Sequence, residues 1–220
     1  MKVTVNWKLL SLRGMVPAMA VEHPVTDLSL RERKRLALMR RIQDVALELF
    51  TQRGFEDVTI EEVAAAAEVS PSSVYRYFGT KEHLVIWDRH DVTTIAALGE
   101  GLVDQPPLEA IRAVVVTAIG EALEAEEPRL RARLQLVFTN PSIEAALALQ
   151  AYERSGPIAH VLGASLDRST EDLDLQVLAY AFAGGLLGAL RHWYLTDFRT
   201  PVSELVERPF AILERSLGAL

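Results

Sequence analysis

Residues 59–81, TIEEVAAAAEVSPSSVYRYFGTK, decide the fold. They divide into two short helices around a tight corner. Thr59 can cap the first helix, and Glu62, three residues on, completes a T-x-x-E capping box. Ile60, Val63, Ala64 and Ala67 repeat at i, i+3, i+4, i+7 and form one apolar stripe. The small residues Ala64 to Ala67 let another backbone come close. Glu68 and Val69 make the corner. Ser70 caps the second helix, and Pro71 sits in its first turn, where a missing N–H costs nothing.

The second helix, Pro71 to Phe78, is about two turns long. Val74, Tyr77 and Phe78 share one side, while Ser72 and Arg76, flanked by Ser73 and Tyr75, share the other. A rod that is apolar inside and carries hydroxyl, phenol and guanidinium groups outside suits the DNA major groove. Arg grips a guanine edge or a phosphate, and Ser and Tyr bond phosphate oxygens. Thr80 and Lys81 open a further helix, so backbone N–H groups and an ammonium converge where a phosphate can lie. Plainer readings stand beside these. Ser72 and Ser73 can be ordinary solvent-facing residues, Arg76 and Lys81 solvated charges, and Tyr77 reads equally well as core.

With those residues in place, the stretch resembles the helix-turn-helix of TetR-type transcriptional regulators. The family pattern runs T-hydrophobic-x-x-[IV]-A-x-x-A-G-V-S-x-x-x-[hydrophobic]-Y-x-[YH]-F-x-x-K-x-x-L. This chain supplies Thr59, Ile60, Val63, Ala64, Ala67, Val69, Ser70, Val74, Tyr75, Tyr77, Phe78, Lys81 and Leu84 in register. It departs at the corner, where the family usually has Gly and this chain has Glu68; a non-Gly residue at φ > 0 costs about 1 kcal/mol. The resemblance implies an all-α protein with an N-terminal three-helix DNA-binding domain and a C-terminal helical bundle for ligand binding and dimerisation. It implies a repressor that binds a palindromic double-stranded DNA operator as a homodimer and is released by a small-molecule effector. The expected divisions are a flexible extension over 1–30, a DNA-binding domain over 31–80 with its motif at 59–78, and a C-terminal domain over 81–220. DNA contacts are expected from Thr59, Ser70, Pro71, Ser72, Ser73, Tyr75, Arg76, Tyr77 and Lys81, and from Arg33, Arg35 and Arg41 upstream.

Composition narrows the field. A chain of 220 residues, half of them apolar, has room for one or two domains and a large core. The longest uncharged apolar run, Val177–Leu190, has 14 residues, and a bilayer span needs about 18 or more, so no membrane partner is expected. The absence of cysteine excludes a disulfide framework, a thiolate zinc site and a thiol nucleophile, and fits a reducing cytoplasm. The net charge of −7 is unevenly spread. Residues 31–90 hold ten basic and ten acidic side chains, while residues 91–220 hold ten and eighteen. Within the first group, Arg31, Arg33, Lys34, Arg35, Arg40 and Arg41 face only Glu32 in their own run. Phosphate attraction follows such a local patch, not the total.

The remaining chain reads as helices with short connections. Residues 1–30 show no periodicity and no continuous apolar signal-peptide core; Met15 and Met19 offer later starts. Arg31 to Arg53 is the first helix, with Ser29 as a cap, a stripe of Ile42, Val45, Ala46, Leu49 and Phe50, and Gly54 as its stop. Lys81 to Gly99 is a longer helix whose Trp87 should pack near Phe50 or Phe78. His83, Asp88, His90 and Asp91 lack an i, i+4 ligand pair, so no metal or cofactor is expected. Further helices are expected over 108–125, 128–138, 142–154 and 158–166, with Gly156-Pro157 as a break.

Thr170 should cap a helix running to Leu195, apolar on two sides and so in need of two neighbours. Its stripes include Tyr180, Ala181, Gly184, Leu187 and Gly188. With Phe210, Leu213 and Leu217 of the last helix they are the expected dimer interface, a four-helix packing about a twofold. Candidate ligand-pocket residues are Arg112, Phe138, Tyr152, His160, Phe182, Trp193 and Tyr194, although such residues in a bundle are commonly ordinary packing. Two other classes compete with this reading. A helical-bundle enzyme lacks a placeable Ser-His-Asp set, carboxylate pair or phosphate loop. An interaction module without DNA binding rests only on Glu68.

Overall fold

The computed structural model describes residues 29–87, Arg112 and residues 126–218. Every regular element among them is α-helical: α1 Leu30–Arg53, α2 Ile60–Ala66, α3 Pro71–Phe78, α4 Lys81–Ile86, α5 Glu127–Thr139, α6 Pro141–Leu166, α7 Leu173–Leu195 and α8 Val202–Gly218. The longer helix expected from Lys81 to Gly99 is not continuous: α4 ends at Ile86, and Trp87 leaves the helix at ψ 124°. The extension before Ser29, residues 88–99 and the helix expected over 108–125, Arg112 excepted, lie outside the described residues. Two compact units emerge. One holds residues 29–87 with 128–147, the other residues 148–218 with Arg112.

In the first unit each helix is fixed at its ends by its own sequence. Ser29 accepts the Glu32 N–H at 3.2 Å, and Glu32 in return accepts the Ser29 N–H at 2.9 Å, a capping box at the head of α1. Gly54 ends α1 at φ +94°, a conformation that favours glycine, and its N–H donates to the Phe50 carbonyl. Thr59 and Glu62 form the same reciprocal box on α2. The Glu62 carboxylate, which accepts from the Thr59 N–H and the Arg53 guanidinium, has its pKa lowered to about 2. Glu68 turns the corner at φ +53°, as the pattern requires. Ser70 then accepts the Ser73 N–H at 3.2 Å and starts α3.

The expected stripes face one core. Ile42, Ala46 and Phe50 of α1 meet Val63, Ala64 and Ala67 of α2, Val74 and Phe78 of α3, and Leu84 of α4, all at 7% exposure or less. Phe50 packs edge-on against Phe55, and Phe78 edge-on against Trp87, the contact anticipated for that tryptophan.

Helix α5 joins this unit, where the sequence pattern places the boundary near residue 80. Its Val137, and Ile143 at the start of α6, are buried in the same core. Polar contacts do the rest. Arg133 donates to the carbonyls of Val85 and Ile86 at 2.9 and 3.4 Å, and wholly buried Gln43 donates to that of Trp87 at 2.7 Å. The last carbonyls of α4, which have no partner inside their own helix, are thus held by side chains from α1 and α5. Arg129 pairs with Asp44 and reaches the Gln43 amide oxygen.

In the second unit three sequence expectations need correction. Gly156-Pro157 does not break the chain: α6 runs through it, with Pro157 inside. The carbonyl that Pro157 cannot serve belongs to Glu153, an exposed position open to solvent. Thr170 does not cap α7. Asp172 does, accepting the Asp174 N–H at 3.0 Å, while the Thr170 carbonyl takes the Gln176 amide. The turn between them crosses so close to α6 that a Cβ on Gly163 would lie 2.9 Å from the Arg168 carbonyl oxygen, which requires glycine there. Third, α7 has 23 residues and is long and apolar enough, by length and composition, to cross a bilayer, although its uncharged run is shorter. It packs instead on α8, with Phe182 against Phe210 at 5.1 Å between ring centres.

Two tests follow from the first unit. Gln43→Leu leaves the Trp87 carbonyl without its donor, and should cost about 1–3 kcal/mol in urea denaturation. Glu62 has a folded pKa near 2 against an ordinary 4.5, so its contribution is present above pH 4.5 and is lost as the pH falls towards 2. Glu62→Gln should therefore be less stable than the parent at pH 7, with the difference in melting temperature closing between pH 4.5 and pH 2.

Candidate nucleic-acid interface

Helix α3 presents its expected outer side. Ser70, Pro71, Ser72, Tyr75 and Arg76 are exposed and Ser73 is half-buried, whereas Val74 and Phe78 are sealed beneath. Tyr75 keeps 48% of its surface in solvent. The Ser70 hydroxyl lies 2.9 Å from those of both Ser72 and Ser73, so three hydroxyls cluster around the N-terminus of α3. Backbone N–H groups and hydroxyl donors at a helix start are the equipment that phosphate oxygens accept from.

The basic front of α1 lies next to it. Arg31, Arg33, Lys34, Arg40 and Arg41 are exposed and Arg35 is half-buried. Arg35 reaches the Tyr77 ring, with its guanidinium carbon 5.7 Å from the ring centre. Arg76 lies 4.8 Å from the same centre and donates to the Tyr77 hydroxyl at 3.1 Å. Tyr77 itself is half-buried and packed on the core. The core reading of it therefore holds for the buried part of the ring, and the remainder is exposed beside the two arginines.

Three expected contacts are engaged within the protein. The Thr59 hydroxyl accepts the Glu62 N–H and donates to the Glu62 carboxylate at 3.0 Å, so it serves the helix cap. The Lys81 ammonium lies 4.3 Å from the Phe55 ring centre and 5.7 Å from that of Phe50, and donates to the Glu56 carbonyl. Arg41 pairs with Glu68. This last partner was missed in the sequence because 27 residues separate the two; the sequence showed only that Glu68 replaced an expected Gly.

The seven pocket candidates fall in both units. Phe138 packs on the core of the first unit. In the second unit Arg112 pairs with Glu207 at 2.8 Å, and Trp193 is wholly buried and donates to the Thr200 carbonyl. Tyr194 stacks edge-on with Phe198, Phe182 packs on Phe210, and His160 is half-buried. Tyr152 is 62% exposed and lies 5.2 Å from Tyr180 on the surface. No cluster of His, Asp or Glu suited to a metal ion occurs among the described residues.

The expected interface residues divide as well. Tyr180, Gly184 and Gly188 are exposed and Ala181 and Leu187 half-buried, whereas Phe210 is wholly buried within its own chain. Leu213 and Leu217 have side chains outside the described set.

Known proteins share this arrangement. Residues 42–86 match the family model for bacterial regulatory proteins of the tetR family, and residues 105–218 match that for the MftR C-terminal domain. The chain belongs to the TetR family of helix-turn-helix transcriptional regulators, a DNA-binding fold. A Mycobacterium tuberculosis protein named as the mycofactocin biosynthesis transcriptional regulator MftR is 29% identical over 194 residues, covering 86% of this chain and 95% of that one. The regulator TcmR of Streptomyces glaucescens is 29% identical over 179 residues, covering 76% and 77%. Among solved structures, SmeT in complex with triclosan aligns with a TM-score of 0.54 at 19% identity, covering 80% of this chain and 91% of that one. FadR from Bacillus halodurans aligns at 0.52 and 17%, covering 80% and 94%. At such identities these likenesses concern the fold alone.

The corner offers a direct stability test. Glu68→Gly removes the strain of a side chain at φ +53° along with an exposed ion pair worth less than about 1 kcal/mol. Relief of about 1 kcal/mol should prevail, raising the urea midpoint slightly, whereas Glu68→Ala keeps the strain and should lower it.

Proposed function

We propose that the protein is a homodimeric repressor that binds a palindromic operator through α3 and leaves it when a small molecule binds the second unit. The observation that carries the reading is the two-sided construction of α3. Val74 and Phe78 are buried, while Ser72, Tyr75 and Arg76 face solvent beside the basic front of α1. Dimerisation supplies the second half-site reader, since a recognition helix on each protomer reads half-sites about one helical turn apart.

The second protomer fits the exposed stripe of α7. Leu173, Val177, Tyr180, Gly184 and Gly188 are exposed and recur every three or four residues, and exposed Leu195 follows two turns on. The glycines let a partner helix approach closely, and Arg191 and Asp174 at the ends of the stripe suit a protein partner better than hydrocarbon. An effector acts by binding one dimer geometry more tightly than the other, and shifts the equilibrium by no more than that difference. SmeT, which shares the fold, is such a case: it is the repressor of a Stenotrophomonas maltophilia multidrug efflux pump, and one of its solved structures holds triclosan. An operator on the chromosome places the protein in the cytoplasm.

Gel shifts with DNA from upstream of its own gene test the reading. The wild type should bind with a steep salt dependence. Arg76→Ala should weaken binding by about 1–3 kcal/mol, and Tyr75→Phe less. Gly184→Arg should yield a monomer by sedimentation and lose cooperative operator binding while keeping its helix content. A wild type that ignores DNA at low salt, or a monomer that binds as tightly as the parent, overturns the proposal.

A further inference from the structure

Tyr77 joins the two basic elements of the interface. Its ring rests on the core, half-buried. Two guanidiniums from different helices approach it, Arg35 from α1 at 5.7 Å and Arg76 from α3 at 4.8 Å. The phenol oxygen additionally accepts from Arg76 at 3.1 Å. An arginine on an exposed surface samples many rotamers and must be ordered before it can read a base edge. One already stacked on a ring that is itself wedged in the core begins closer to its bound state. The two like charges repel, and the ring's attraction for each offsets that repulsion.

We propose that Tyr77 is a positioning residue for sequence discrimination: it presents Arg76 and Arg35 to the same stretch of duplex as one prearranged pair. This rests on the operator-binding reading above. Base recognition falls to Arg76 on the groove helix, and Arg35 holds the register from α1. Loss of the ring then loosens both arginines at once, and the cost appears in discrimination more than in general affinity for DNA.

The test uses the full-length chain and a duplex selected by the wild type from a random pool, with a scrambled duplex of the same composition for comparison. Kd is measured for both by fluorescence anisotropy. Tyr77→Leu should reduce the ratio of scrambled to selected Kd by tenfold or more, with Kd for the scrambled duplex within about threefold of the parent. Tyr77→Phe keeps the ring and loses only the hydroxyl acceptor, and should retain most of the discrimination. In the Tyr77→Leu background Arg35→Ala and Arg76→Ala should act independently; with Tyr77 present their combined effect should depart from the product of the single effects by threefold or more. Circular dichroism melts establish that each variant is folded; should Tyr77→Leu unfold, Tyr77→Phe and the arginine cycle in the parent decide the matter. Independent arginines in the parent overturn the inference. So does an equal loss of affinity for both duplexes, which marks Tyr77 as a plain phosphate contact. Absence of DNA binding by the wild type overturns the operator-binding reading and this inference together; binding with independent arginines overturns this inference alone.

Discussion

An eight-residue helix does not hold itself together in water, because nucleation costs more than two turns of hydrogen bonds return. Helix α3 exists because Val74 and Phe78 are clamped in the core of α1, α2 and α4. Each such side chain contributes about 1.5–3 kcal/mol on burial, comparable with the whole marginal stability of a short isolated helix. That constraint also fixes rotation. With the apolar residues at i and i+4 turned inward, Ser72 and Arg76, also four apart, turn outward. The identity of the outward-facing side chains follows from which two residues are apolar.

The ends of α3 are equally determined. Ser70 and Pro71 start it and Gly79, at φ +75°, stops it. Upstream, the corner demands φ > 0 and receives it from Glu68 at some strain. Such strain persists where its surroundings over-determine the backbone. The Ala64 and Ala65 carbonyls accept the N–H groups of Val69 and Glu68, so the chain is pinned on both sides of the turn. Glu68 keeps its side chain in solvent, where Arg41 meets it.

How much of this was legible varies with the range of the interaction. Caps and stripes are local, so Ser29, Thr59, Ser70 and Gly54 could be read from neighbours three or four residues away. The core side of α3 was legible for the same reason. What escaped is of two kinds. Near-equivalent local options were misjudged: Thr170 and Asp172 are both good caps, and the choice falls to the chain crossing over Gly163. Long-range polar partners carry no periodic signal at all. Arg133 and Gln43 look like any charged or amide residue until the carbonyls of Val85, Ile86 and Trp87 arrive beside them. Aromatic character records burial and does not by itself mark a pocket: Trp193 and Phe182 are buried within the packing of α7, α8 and the turn between them.

Those same polar contacts matter for how α4 behaves. A helix of six residues, Lys81–Ile86, has scarcely any internal bonds to keep its direction. Its apolar side is set by Leu84, Val85 and Ile86 in the core, and its final carbonyls are set by Gln43 from α1 and Arg133 from α5. Burying Gln43 without a partner would cost more than an apolar residue in its place, so its retention is explained by the carbonyl it serves. Directional hydrogen bonds fix an orientation where dispersion contacts alone permit sliding. The end of α4, where the chain leaves the DNA-reading helices, is thereby tied to the same core that holds α3. A displacement of α4 then either breaks the bonds to Gln43 and Arg133 or moves α1 along with it, and α1 carries the arginines that flank the recognition helix.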